Sequence, residues 1–188
     1  AAEMPTVISA PGKSVVEAMG NMQRLVARRI YSGHNGSVIV GEELARTKKM
    51  HGILDYFLRL PISRGSTLIY ISEPEAKEIL RVKPQLRKSA SEVLEKFRRL
   101  DIGYHITIGD FTGGLASDTR AAIAPLLSIG EKNNNTDTQI ELTGLAVFKD
   151  AKMVGSLDKE ESSGAIWLLK EQRQGSSLVL PIQLNDTG

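Results

Sequence analysis

The triplet Gly12-Lys13-Ser14 is the part of the chain whose residue types come nearest to a reactive site. A nucleotide phosphate loop has the pattern G-x-x-x-x-G-K-[ST], in which a glycine-rich turn wraps backbone N–H groups around the phosphates. The leading glycine of that pattern falls on Val7, a β-branched residue without the backbone freedom of glycine. We therefore interpret Ser14 as the N-cap of a helix, with Glu17 as its capping-box partner. A nucleotide-binding enzyme that uses the triplet stays open as an alternative.

A second candidate for chemistry is the S-x-x-K pattern at 156–159, which is typical of serine acyl enzymes. That chemistry also needs a Lys-Thr-Gly strand, which the sequence lacks. Asp158 is better explained as the cap of another helix, with Glu161 as its reciprocal partner. The chain has no cysteine, and its three histidines do not have the spacing of metal ligands. The sequence therefore predicts no catalytic, cofactor-binding or metal-binding residue.

Composition indicates an ordinary globular protein. Of the 188 residues, 41% are apolar and 24% are charged, and no apolar run approaches the ~20 residues of a membrane span. The net charge of +2 hides an asymmetry, because residues 1–100 hold 17 Lys and Arg against 10 Asp and Glu, whereas residues 101–188 hold 7 against 12. Few aromatic residues accompany the basic ones, so we expect no nucleic-acid partner.

The alternation of strand-like and helix-like patterns predicts a mixed α/β (α+β) fold of two small domains in series, each with a mixed β-sheet and packed helices. The predicted units are a first domain at 1–83, a linking helix at 84–105, and a second domain at 106–188 that contains a hairpin and helix at 142–170. In the first domain we expect strands at 6–9, 37–41 and 66–72, a helix at 15–29, a helical region at 42–60 broken near Thr47, and a helix capped by Ser72 and Glu75.

The second half is predicted from caps and turns. Ser89 is the expected cap of the linking helix, and 108–117 is either a short helix or a glycine-rich loop. A hairpin turn is expected near 149–152, followed by a helix from Asp158 and a closing strand at 176–184. Trp167 has apolar neighbours on both sides, which favours a place in the core.

Two long stretches together resemble the Ger(x)C family. They are "APGKSVVEAMGNMQRLVARRIYSGHNGSVIVGEELA" at 10–45 and "LTGLAVFKDAKMVGSLDKEESSGAIWLL" at 142–169. The positions that carry the family pattern, and that we expect to be structural, are Gly33, His34, Gly41, Glu42, Glu43, Gly144, Gly155, Asp158, Glu161 and Trp167.

The resemblance implies the C subunit of a spore nutrient-germinant receptor. Such a subunit would be a non-enzymatic lipoprotein without a cofactor, anchored by lipid to the outer face of the spore inner membrane and bound to the A and B membrane subunits. The anchor cysteine that the family implies is missing from the front of this sequence, so we expect this chain to be a trimmed piece. A free-standing domain that binds a small ligand is a further alternative.

Overall fold

The computed structural model describes residues 7–30, 35–59, 66–82, 89–131 and 138–168. The described helices are α1 (Val15–Leu25), α2 (Glu42–Thr47), α3 (Met50–Arg59), α4 (Ala76–Arg81), α5 (Ala90–Arg99), α6 (Ile108–Ala116) and α7 (Lys159–Leu168). The described strands are β1 (Ser37–Gly41), β2 (Leu68–Ser72), β3 (Ala121–Glu131), β4 (Thr138–Lys149) and β5 (Lys152–Leu157). The predicted α+β class is confirmed.

These five strands form one mixed sheet in the order β1-β2-β3-β4-β5. β1, β2 and β3 run parallel, and β3, β4 and β5 run antiparallel. We had expected a separate sheet in each half, but Ile71 and Ser72 of β2 pair with Leu126 and Leu127 of β3. β2 therefore has a neighbour on each edge, β1 from the first half of the chain and β3 from the second. Two short strands alone are marginally stable, and the third strand adds the support that a sheet needs. The limits of the predicted domains stay a prediction.

Helices cover both faces of the sheet. All five residues of β2 are buried, and its side chains alternate between two apolar clusters. Ile69 and Ile71 pack with α2, α3 and α6, whereas Leu68 and Tyr70 pack with α4 and α5. The period of two in a strand sends neighbouring side chains to opposite faces, so an unbroken apolar run is what a doubly covered strand requires.

Helix ends follow the sequence predictions where a side chain can act locally. Ser89 caps α5 by accepting a hydrogen bond from the Glu92 N–H at 3.2 Å. The break near Thr47 separates α2 from α3. The segment 108–117, left open between helix and loop, contains α6, because Thr107 caps it and its apolar residues face the core.

Three local predictions are wrong. Residues 7–10 form no strand in the structure. Helix α1 ends at Leu25, because Val26 is extended and the Gln23 side chain bonds the backbone of Arg28 and Ile30 at 2.9 and 2.8 Å.

The third wrong prediction is the capping of α4 by Ser72 and Glu75. The N-cap of α4 is Glu75, and its side chain makes no capping hydrogen bond. Ser72 ends β2 and donates instead to the Pro74 carbonyl at 2.8 Å. The sheet keeps Ser72 in place, since its backbone pairs with both neighbouring strands. The predicted closing strand at 176–184 lies outside the described residues.

Candidate interaction surface

The start of α1 has the geometry of a helix cap, as predicted. The Ser14 hydroxyl accepts from the Glu17 N–H at 3.2 Å, and the Glu17 carboxylate accepts from the Lys13 N–H at 2.8 Å. Gly12 packs so closely that a Cβ there would lie 2.3 Å from the Ala18 nitrogen, which explains the glycine. A carboxylate and a hydroxyl thus occupy two of the N–H groups that a phosphate would need, and the negative charge of Glu17 repels an anion.

The junction of β1 and α2 contains three of the predicted motif residues. Gly41 is the last residue of β1 and the N-cap of α2, without a side-chain cap bond. Glu42 forms an ion pair with Arg46 at 2.6 Å, and the Glu43 carbonyl accepts from the Thr47 hydroxyl at 2.8 Å. Both acids lie in the first turn, where the helix dipole favours negative charge. Their contacts support the helix. The motif residues Gly33 and His34 lie outside the described residues.

A second group of motif residues meets where β5 turns into α7. The Asp158 carboxylate accepts from the N–H groups of Glu160 and Glu161 at 2.9 Å each, and the Glu161 carboxylate accepts from the Asp158 N–H at 3.0 Å. This is the predicted reciprocal capping box. The buried Ser162 adds a bond from its hydroxyl to the Leu157 carbonyl at 3.2 Å.

The two motif glycines of the hairpin have different environments. A Cβ on Gly144 would lie 1.9 Å from the Leu157 carbonyl oxygen, so β4 and the end of β5 touch only because this residue has no side chain. A Cβ on Gly155 would meet no atom within 4 Å. Gly144 therefore belongs to the same corner as Asp158 and Glu161, which sequence spacing alone did not indicate.

Trp167 does not lie in the core, contrary to the prediction. Its side chain is 59% exposed, and the following Leu168 is 85% exposed. Ser162 is the buried residue of α7, and Trp167 follows it by five positions, which turns it to a different side of the helix. An apolar run therefore did not identify the buried side of α7, because burial depends on the direction from which the helix packs.

A groove of about 500 Å³ runs between α7, β4 and the segment after α5. One side of α7 lines it, with Lys159, Ser162, Ser163 and Ile166 at the i, i+3, i+4, i+7 spacing. Trp167 is not one of the lining residues; it directly follows Ile166, about 100° further around the helix. The other walls are mainly apolar and comprise Phe97, Ile102, Gly103, Tyr104, Pro125, Ile140, Glu141, Leu142, Gly144 and Leu145.

The sequence did not predict this groove. Phe97 was recognisable only as an apolar position of a helix, and Ile102 and Tyr104 belong to no motif. Because the walls come from residues far apart in the chain, no local pattern brings them together. Only the capping box at Asp158 gave information about the groove, because it predicts where α7, one of the groove walls, begins.

A buried phenol with a raised pKa lies beneath α5. Burial raises the pKa of Tyr70 to about 12, with the Glu95 carboxylate acting in the same direction and Arg98 opposing it. The hydrogen bond from Arg98, with an Nε–Oε2 distance of 2.9 Å, lowers the pKa of Glu95. The Tyr70 hydroxyl has no hydrogen-bond partner among the described residues. The raised pKa keeps the Tyr70 phenol protonated at neutral pH, so this side chain does not have the properties of a general base.

Neither a metal cluster nor a spanning segment is found in the described part of the chain. There, no three His, Asp or Glu side chains are grouped so that they could hold a metal ion. The helices at 15–25, 42–47, 50–59, 76–81, 90–99, 108–116 and 159–168 include none that is both long and apolar enough to cross a bilayer. The described residues do form a mainly apolar groove, and Trp167, which directly follows its lining residue Ile166, is exposed; exposed apolar surface is typical of a binding site.

Comparison with known families identifies this class of protein. Residues 1–129 match the family model described as the spore germination protein N-terminal domain, and residues 143–188 match the spore germination B3/GerAC-like C-terminal model. The chain therefore belongs to the GerAC-like, or Ger(x)C, family of spore germination proteins, the C subunits of germinant receptors. This confirms the resemblance drawn from the two long stretches of sequence.

Relatives from Bacillus subtilis (strain 168) agree with this assignment. The chain is 28% identical over 181 residues to the putative spore germination protein YfkR, and 28% identical over 184 residues to spore germination protein KC. These alignments cover 95% and 88% of this chain but 47% and 45% of the relatives. The chain thus spans about half the length of the relatives it matches.

A solved structure supports the fold. The crystal structure of the GerBC protein is similar to this chain with a TM-score of 0.52 and 17% sequence identity, over 76% of this chain and 39% of that one. At this identity the likeness concerns the fold alone.

Proposed function

We propose that this protein is a non-enzymatic subunit of a spore nutrient-germinant receptor and that it acts by binding the A and B membrane subunits. Membership of the C-subunit family supports this function. So does the groove, because its rim carries large apolar side chains in contact with solvent.

The observation that carries the proposal is this exposed apolar rim. Ile102 is 44% exposed and lines the groove, and Trp167, which directly follows the lining residue Ile166 in α7, is 59% exposed. Exposed apolar surface of this kind marks binding sites, and tryptophan is among the residues that contribute most to binding energy at interfaces. An apolar segment of an A or B subunit is the partner that fits, with Glu141 and Lys159 supplying polar contacts.

We further propose that a lipid anchor holds the protein at the outer face of the spore inner membrane. This expectation rests on the family resemblance and on no residue described above.

Cross-linking through an introduced cysteine tests the partner contact, and the absence of cysteine from these 188 residues makes a single label possible. In the full receptor, Trp167→Cys labelled with a short thiol-reactive cross-linker should form a product with the A or B subunit. The matched control is Glu75→Cys, an exposed position at the start of α4. Equal products from both positions, or none from Trp167→Cys while the receptor responds normally to germinant, would argue against the groove as the contact.

A further inference from the structure

A group of basic side chains surrounds the turn between β4 and β5. The turn residues Asp150 and Ala151 both have positive φ, 49° and 67°, as a two-residue type I′ hairpin turn requires. Ala151 is buried, and its carbonyl accepts a hydrogen bond from the Met50 N–H at 2.8 Å. This bond fastens the hairpin turn to the corner between α2 and α3, about 100 residues earlier in the chain.

That contact brings lysines together from both places. Lys48 and Lys49 immediately precede Met50, and Lys149 and Lys152 flank the turn as a directly opposed cross-strand pair. All four are exposed. Like charges directly opposite each other on neighbouring strands are destabilising, so this arrangement is not what hairpin stability alone would favour. We refer to Lys48, Lys49, Arg120, Lys149 and Lys152 as the basic tip.

Nearby acids neutralise only part of this charge. Asp150 forms an ion pair with Arg120 at 3.3 Å, and the Lys149 ammonium donates to the Thr119 carbonyl at 2.5 Å. Among the described residues, Lys48, Lys49 and Lys152 form no ion pair within 4.0 Å. The basic tip therefore presents several cations to solvent at one end of the sheet.

Two exposed apolar side chains accompany the lysines. Val154 is 59% exposed and lies two residues from Lys152, on the same face of β5. Leu44 is 43% exposed and lies in α2, which ends at Thr47, immediately before Lys48. Cations interspersed with apolar side chains are the pattern of surfaces that rest on the headgroup region of a bilayer.

We propose that the basic tip binds the anionic headgroups of a phospholipid surface. The lysines are spread around the end of a hairpin and do not converge on one point, which suits many headgroups better than a single anion. The exposed Val154 and Leu44 gain from contact with the acyl boundary, whereas an acidic protein segment would leave them without a role. This surface is distinct from the groove, so the inference does not depend on the proposed contact with the A and B subunits.

Vesicle co-sedimentation with the 188-residue chain tests the inference. The probes are vesicles of phosphatidylcholine alone and vesicles with 30 mol% phosphatidylglycerol, each at low and at physiological salt. Binding should require the anionic lipid and weaken as salt rises. Each lysine near an anionic surface raises the affinity for that surface by about fivefold. The double variant Lys149→Gln with Lys152→Gln should therefore weaken binding by about 25-fold, and Lys48→Gln with Lys49→Gln by a similar factor.

The matched control is Lys77→Gln with Lys96→Gln, which removes the same charge from α4 and α5. It should weaken binding by less than about threefold, since these lysines lie away from the tip and only the long-range field changes. Thermal unfolding of every variant establishes that it is folded. The proposal is overturned if binding ignores the phosphatidylglycerol content or if the control weakens it as much as the tip variants. It is also overturned if the tip binds poly-glutamate but no vesicle, which would assign it to an acidic protein.

Discussion

Replacing Gly144 by alanine tests the packing of the β4–β5–α7 corner. The new Cβ would lie 1.9 Å from the Leu157 carbonyl oxygen, and the next nearest atom, the Leu157 carbonyl carbon, is at 3.1 Å. Both obstacles are backbone, so no side-chain rotation relieves the contact. β5 must move away from β4 by about 1.5 Å or more to restore an ordinary van der Waals separation.

The cost of that movement has two parts. Overpacking of a well-packed site typically costs about 1–3 kcal/mol. Moving Leu157 also disturbs the adjacent cap, since the Leu157 carbonyl accepts from Ser162 and Asp158 caps α7, and a lost cap costs about 1 kcal/mol. A total near 3 kcal/mol corresponds to a fall of roughly 6–12 °C in Tm for a chain of this size.

Thermal unfolding followed by circular dichroism measures this effect, with Gly155→Ala as the matched control. The control makes the same substitution in the neighbouring strand, where a Cβ meets no atom within 4 Å. It should leave Tm unchanged or raise it slightly, because alanine restricts the unfolded chain by about 0.4–1 kcal/mol relative to glycine. Equal Tm values for the two variants would refute the close contact between Gly144 and Leu157.

Two further predictions concern the interior and the first helix. Because the pKa of Tyr70 is about 12 in the folded state and near 10 when unfolded, stability present below pH 10 should decline as pH rises through 10 to 12, by up to about 3 kcal/mol. Tyr70→Phe should remove this part of the decline, measured as the difference between the urea midpoints at pH 8 and pH 11; an unchanged difference would contradict the burial argument. Ser14→Ala should lower the free energy of unfolding by about 1 kcal/mol through loss of the cap, while calorimetric titration of the unaltered chain with magnesium ATP should give no binding heat. Binding heat that Lys13→Ala abolishes would restore the nucleotide alternative.

Features that depend on neighbouring residues followed from the sequence. The caps at Ser14, Ser89 and Asp158 were predicted because a cap joins a side chain to an N–H two or three residues away. The turn between β4 and β5 was predicted from the polar interruption between two apolar runs. The family was also recognised from the sequence, because the two stretches that resemble it are runs of consecutive residues and can be compared without knowing any contact between them.

What the sequence determined by itself is most of the helices and strands and the caps at Ser14, Ser89 and Asp158, together with the family to which the chain belongs. Tertiary structure alone decided that the strands join in one sheet, that Trp167 faces solvent and that Gly144 touches Leu157. It also decided that Lys48 and Lys152 share one end of the molecule, through the bond from Met50 to Ala151. The physical reason is that strand pairing and helix docking join residues far apart in the chain, and their energies depend on surfaces that exist only once the chain is folded.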